Sequence, residues 1–321
     1  MKSQDAYADI TPYWSKLQDI RRVQPETVFL GSSRTFRHVD PVRLDSVQGS
    51  RSRSYNFGIL GSRALETHFR ADHLLTMDLP IRRMVLELGP IALRVPERTE
   101  RTRRTHHYHD ARRAALGSRV ALASDEPWME RVRSIAARWR YWTMNTFLVG
   151  WGRAWANSVM TERDWRGDEE TVGRRGYVPL RQGGPDQRSA EERRARRTRF
   201  LSPEGQAAFT RKRAALRDRS SVTPTERDRV TAEVWLGLAE RARERGVEVV
   251  FVEQVGEGQS MGVTRLVREA LGEEAVIVLN DPRRYPELFD RDAWFDGDHL
   301  GPGLAARATD LLAQELPSLD G

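Results

Sequence analysis

Three short stretches carry residue types that could do chemistry together. "VFLGSSRTF" places Gly31-Ser32-Ser33 directly after an apolar run, "SYNFGILGS" offers Asn56, Gly58 and Gly61, and "WFDGDHLGPG" holds Asp296 and His299. A serine hydroxyl is a poor nucleophile until a base removes its proton. His299 is a candidate base, and Asp296 a candidate partner that holds its tautomer and stabilises the imidazolium. The Asp-x-x-His spacing puts both groups within one turn, so a hydrogen bond to Nδ1 is within reach. A tetrahedral intermediate also needs donors for its oxyanion, and the backbone N–H groups of Ser33 and Gly61 are candidates. Taken alone, each stretch has an ordinary reading. Gly and Ser end strands in common turns, Ser32 suits a backbone-bonding role, and Asp298 is a rival to Asp296.

For these residues to meet, elements must deliver them to one rim. The Val/Ile/Leu-rich runs Val28–Gly31, Ser52–Phe57, Met84–Leu88, 247–254 and 275–279 read as strands buried on both faces, as in a parallel sheet. Helical segments separate them. In "TPTERDRVTAEVWLGLAERARERG" the expected N-cap is Thr223, with Pro224 in the first turn, Glu226 closing a capping box and Gly246 as the stop. The last helix shows Leu304, Ala308, Leu311, Leu312 and Leu316 on one face. Strands alternating with helices give a doubly wound α/β layer. Ligands of such sheets sit beyond the carboxyl ends of the strands, where the three stretches fall.

The middle of the chain breaks the rhythm. Residues 95–222 show no strand pattern and read as a helical, arginine-rich insertion between strands 3 and 4, splitting an α/β domain into parts 1–94 and 223–321. "THHYHD" brings His106, His107 and His109 close to Asp110. A metal site would need a fuller ligand pattern, so a polar helix start or lid is the favoured reading. Trp139, Trp142, Trp151 and Trp155 fit a core or partner face better than a sugar-stacking platform. In "RSAEERRARRTRF" (188–200) the interleaved Glu191 and Glu192 favour a solvated helix with internal ion pairs. No nucleic-acid motif accompanies it.

Composition narrows the classes. The 321 residues suffice for one large α/β domain. The absence of cysteine excludes disulfides and thiolate metal sites. A formal charge of +7 permits polyanion contact without selecting a partner. The start "MKSQDAYADITPYW" has no apolar core of signal-peptide length, and the longest uncharged stretch, 141–152, falls short of the ~20 residues of a span. The chain is expected to be cytoplasmic, or to depend on an N-terminal anchor outside this sequence.

Together the blocks resemble the SGNH, or GDSL-like, hydrolase superfamily. Gly31-Ser32-Ser33 stands for its first block, with Ser32 in place of the family's Asp. This form is similar to the branch of bacterial polysaccharide and teichoic-acid acyl-transfer proteins. Asn56 to Gly61 resembles the second block and Asp296 to His299 the last. In the third block, "ELGPIA" keeps Glu87, Leu88 and Gly89 but has Ile91 where the oxyanion Asn belongs. The resemblance covers about 27–92 and 247–316. It implies a flavodoxin-like, mainly parallel five-stranded sheet and a Ser33–His299–Asp296 triad needing no metal or organic cofactor. It implies a serine esterase or O-acyltransferase acting on acyl or acetyl esters of a carbohydrate, in the cell envelope, with a membrane-protein partner within its range and no nucleic acid. Arg34 and Asn56 are the candidate substrate-binding residues; for Arg34 a surface ion pair is the simpler reading. Ile91 leaves open a degenerate domain that binds a glycan or protein without chemistry.

Overall fold

A computed structural model describes residues 10–49, 53–95, 103–148, 174–180, 190–256, 261–317 and 319. Five strands, β1 (Thr27–Leu30), β2 (Ser54–Asn56), β3 (Arg83–Glu87), β4 (Glu248–Glu253) and β5 (Val276–Val278), form one sheet. Their order is β2-β1-β3-β4-β5 and every pairing is parallel. The expected doubly wound α/β fold is therefore present, with strand boundaries within two residues of the sequence pattern.

Strict alternation divides the core in two. Val28, Leu30, Met84, Leu86, Phe251, Val276 and Val278 pack on one face, while Phe29, Val85, Val250, Val252 and Ile277 pack on the other. Successive strand side chains point to opposite faces, and both are apolar because both are covered. The first face is covered by α1 (Thr11–Val23), α4 (Ala64–Leu74), α10 (Glu226–Glu244) and α11 (Met261–Leu271), through residues such as Leu17, Leu74, Trp235 and Val267. The second meets α3 (Pro41–Gln48) and α12 (Pro302–Glu315) through Leu44, Ala308, Leu311 and Leu312. Each fully buried aliphatic side chain contributes roughly 1.5–3 kcal/mol.

Between β3 and β4 the described residues form helices joined by irregular segments. They include α5 (Arg103–His107), α6 (Ala111–Leu122), α7 (Trp128–Thr143) with a π-helical continuation Met144–Leu148, α8 (Ala190–Leu201) and α9 (Pro203–Arg217). These helices are not an appendage. Ile91 packs with Leu65, Val120 and Val234, Arg119 pairs with Glu233, and the 174–180 segment bonds to the sheet edge where Asn56 N–H donates to the Arg175 carbonyl.

One helix start differs from expectation. The N-cap of α10 is Thr225, not Thr223, and Asp228 rather than Glu226 closes the capping box, with reciprocal bonds of 3.2 and 2.9 Å. Thr223 precedes Pro224, whose ring disfavours a helical conformation at the residue before it. Among the described residues no helix is long and apolar enough to cross a membrane.

Candidate active site

In a sheet of this order the chain reverses its direction of winding between β1 and β3, and the crevice there is the expected ligand site. β1 runs out at Leu30, and Ser33 opens the short helix α2 (Ser33–His38) immediately beyond it. Ser32 caps that helix, its Oγ accepting from Arg34 N–H at 3.2 Å. The turn is held from beneath by Glu87, the last residue of β3. Glu87 accepts from Ser32 N–H (2.7 Å), Ser32 Oγ (2.7 Å), Thr35 Oγ1 (2.7 Å) and Arg34 Nε (3.0 Å). Burial alone would raise the Glu87 pKa; the Arg34 charge and the Ser32 and Thr35 hydrogen bonds outweigh it and hold it below the usual carboxylate range. Gly31 makes the approach possible, since a Cβ there would lie 2.0 Å from Thr35 Oγ1 and 2.3 Å from a Glu87 carboxylate oxygen.

The Asp296–His299 loop meets this turn. His299 Nε2 lies 2.9 Å from Ser33 Oγ, and His299 Nδ1 lies 2.9 Å from Asp296 Oδ1. Asp296 Oδ1 also accepts from the backbone N–H groups of Asp298 (2.9 Å) and His299 (3.0 Å). Burial would raise the Asp296 pKa, but the His299 hydrogen bond and charge, with Arg196 and the Asp298 N–H, take it down to about 2. An ionised Asp296 can only accept, so Nδ1 must carry the proton. Nε2 then presents its lone pair to Ser33, and the serine donates.

His38 supports the same loop. It is fully buried, and its Nε2 accepts the Leu300 N–H at 3.0 Å. Burial, then the neighbouring His299 and Arg34 charges, push its pKa well below 6.5, so it is neutral. Its ring stands edge-on to His299 with centroids 6.2 Å apart.

Ser33, Gly61, Arg34 and His299 line one cavity of about 340 Å3. As the first helical residue, Ser33 has an N–H without an intrahelical acceptor, and Gly61 N–H has no backbone acceptor among the described residues. Ser33 is half-buried and reachable.

The chain matches no known family model and no curated protein sequence.

Several sequence expectations end elsewhere. Asn56 is not a substrate-binding residue: it is completely buried. Its Nδ2 donates to the Thr35 and Val39 carbonyls (2.8 and 2.6 Å) and its Oδ1 accepts from Gly58 N–H (2.8 Å), which ties α2 to the β2 loop. Arg34 borders the cavity but is committed to Glu87, so the ion-pair reading describes it. Ile91 faces an apolar cluster and not the cavity, so no oxyanion donor stands there. Asp298 does not orient His299; it takes Arg196 Nη2 at 3.0 Å. His106 and His109 pack on the Tyr141 ring. Among the described residues no group of three metal-ligating side chains occurs. Trp139 and Trp142 pack edge to face at 5.4 Å, with Trp139 exposed; Trp151 and Trp155 lie outside the described residues.

Arginine-rich α8 is largely exposed, as expected of a solvated helix, but it also makes contacts that its pattern does not show; the side chain of Glu192 lies outside the described residues. The described ion pairs of α8 go outward to the His299 loop, where Arg196 Nε lies 3.4 Å from Asp296, and Arg197 donates to the Trp294 and Phe295 carbonyls. No sequence signal marks Arg196, because its partners are about a hundred residues away. His38 is likewise invisible as a single histidine in a helix.

Proposed function

We propose that this protein is an SGNH-like serine esterase or O-acyltransferase acting on acyl or acetyl esters of a carbohydrate. The observation that carries the reading is the unbroken chain of hydrogen bonds from Ser33 Oγ through His299 to Asp296, at a strand end bordering a cavity. Ser33 Oγ attacks the ester carbonyl as its proton passes to His299 Nε2. The resulting imidazolium is stabilised by ionised Asp296. The oxyanion is met by the N–H groups of Ser33 and Gly61. His299 returns its proton to the departing alcohol, leaving an acyl-Ser33 ester. Water then completes hydrolysis, and a sugar hydroxyl completes transfer, each deprotonated by His299. The three residues need no metal or organic cofactor for these steps.

The cavity is of a size for one sugar ring with its acyl group, at the small end of ligand sites. The SGNH resemblance of the three blocks directs the proposal to envelope polysaccharide. The buried Ile91 favours a second reading, a degenerate domain that binds a glycan or protein partner, because the family's side-chain oxyanion donor is missing. Hydrolysis of 4-nitrophenyl acetate separates the two. Turnover by wild type that is lost in Ser33→Ala supports the enzyme; equal background rates for both support the binding domain.

A further inference from the structure

The cavity beside Ser33 is bordered by six arginines: Arg34, Arg63, Arg94, Arg104, Arg138 and Arg196. Most have carboxylate partners. Arg34 meets Glu87, Arg94 meets Glu130, Arg104 meets Glu66 and Arg196 meets Asp296 and Asp298. Arg138 is different. It is 3% exposed, and among the described residues it meets no carboxylate. Its Nη2 donates to the carbonyls of Ala92 (2.5 Å) and Leu93 (3.2 Å), and its Nε is buried with no partner. Burial lowers the Arg138 pKa only to about 10, so it stays protonated at neutral pH, and among the described residues it is a buried charge without a counter-charge. Such a group is costly unless something pairs with it.

The chain is built to keep it there. Gly117 sits inside α6, where glycine is disfavoured relative to alanine. A Cβ at Gly117 would lie 2.2 Å from Arg138 Nη1 and 2.5 Å from Cζ. The helix-weakening glycine makes the seat for the guanidinium. Nearby, His109 also borders the cavity. Its Nδ1 donates to the Thr105 carbonyl at 2.6 Å, leaving Nε2 a buried lone pair without a partner. Burial, against the Thr105 hydrogen bond and with the Arg138 charge, lowers its pKa to about 4, so it is neutral and can only accept at Nε2.

We propose that the ester substrate is an anionic carbohydrate, whose carboxylate or phosphate supplies the missing counter-charge to Arg138 and whose hydroxyl donates to His109. This rests on the reading of the cavity as the ester site of Ser33. A guanidinium matches either oxyanion through paired N–H donors. The charge-assisted bonds from Arg138 select the charged sugar over its neutral counterpart.

The test uses one sugar in three forms: methyl glucuronoside, glucose 6-phosphate and methyl glucoside. Each is scored by how far it slows labelling of Ser33 by a neutral fluorophosphonate, followed by intact mass. Wild type should be protected by a charged form at concentrations at least about tenfold lower than by methyl glucoside, the step expected for one charge-assisted hydrogen bond. The better of the two charged forms identifies the acid group. Arg138→Met and Gly117→Ala should each abolish the charged-to-neutral preference, scored against that variant's own unprotected rate. Gly117→Ala favours its helix, so a folded variant is available if Arg138→Met fails to fold. Equal protection by all three sugars, or a preference that survives in Gly117→Ala, overturns the proposal. Should wild type not be labelled at all, the esterase reading falls, and calorimetric titration of the same sugars decides the anion site. Heat from a charged sugar alone upholds it; no difference among the three overturns it.

Discussion

At the scale of the residue, the site turns on which aspartate orients His299. Asp296 Oδ1 gathers three donors, two of them backbone N–H groups fixed by the loop itself, so its position is set before His299 is placed. Asp298, one residue from the histidine, points instead to Arg196 and is partly exposed. Asp296→Asn would offer an amide N–H or carbonyl where an ionised oxygen is needed and would release the wrong tautomer of His299. The loss expected in kcat/KM for an aryl acetate is on the order of 10^4-fold. Asp298→Asn removes only a partly solvated ion pair and should cost less than about tenfold. Steady-state kinetics on the two variants check this, and a reversed order would transfer the orienting role to Asp298. That Ser33, His299 and Asp296 would meet was legible in the sequence because they lie in two short stretches at strand and helix edges. The choice between Asp296 and Asp298 was not, because it depends on the path of four loop residues and on an arginine from a distant helix.

At the scale of the element, the loop after β3 explains why the side chain of position 91 does not face the cavity. Its backbone is tied down by Trp235 Nε1 to the Gly89 carbonyl (3.2 Å), Arg227 to Ile91 (2.9 Å) and Arg138 to Ala92 (2.5 Å). That path turns the side chain of position 91 into the cluster with Leu65, Val120 and Val234. Ile91→Asn is therefore expected to destabilise the fold by about 2–4 kcal/mol, through lost packing and a buried amide without partners, and to give no gain in ester hydrolysis. Denaturant unfolding with parallel rate measurements tests it; a more active, equally stable variant would show that position 91 reaches the reacting centre. The strands were legible because both faces of the sheet are covered, which leaves continuous apolar runs. The start of α10 was misplaced by two residues because two threonines compete for the cap, and the proline between them excludes the first. The walls of the cavity were not legible at all. Arg104, Arg138 and Arg196 come from helices and His109 from the loop after α5; nothing in their local sequence points to one cavity, and only tertiary pairing reveals what they face.

At the scale of the whole molecule, the 95–222 region supplies those walls, while the two flanking parts supply the hydrogen-bonded Ser33, His299 and Asp296. The same closure buries histidines in neutral form. His68 is held near a pKa of about 3 and His109 near about 4, each chiefly by burial; His38 and His73 are also lowered, again chiefly by burial. Lowered folded-state pKa values mean that the unfolded chain binds more protons below about pH 6.5. Stability is then complete above that pH and is lost as pH falls through the folded values. Each well-buried histidine costs about 2 kcal/mol at pH 5 relative to pH 7, so with three of them Tm should fall by about 10 °C over that range. A melting temperature that stays level from pH 7 to pH 5 would mean that these histidines are not held neutral inside the fold.

The central claim is that Ser33 is an activated nucleophile. Intact mass after exposure to a fluorophosphonate, on wild type, Ser33→Ala, Ser32→Ala and His299→Ala, tests it most directly. The account predicts a single adduct on wild type and on Ser32→Ala, and none on Ser33→Ala or His299→Ala. A folded wild-type protein that takes no adduct, or an adduct that persists in Ser33→Ala, would contradict it.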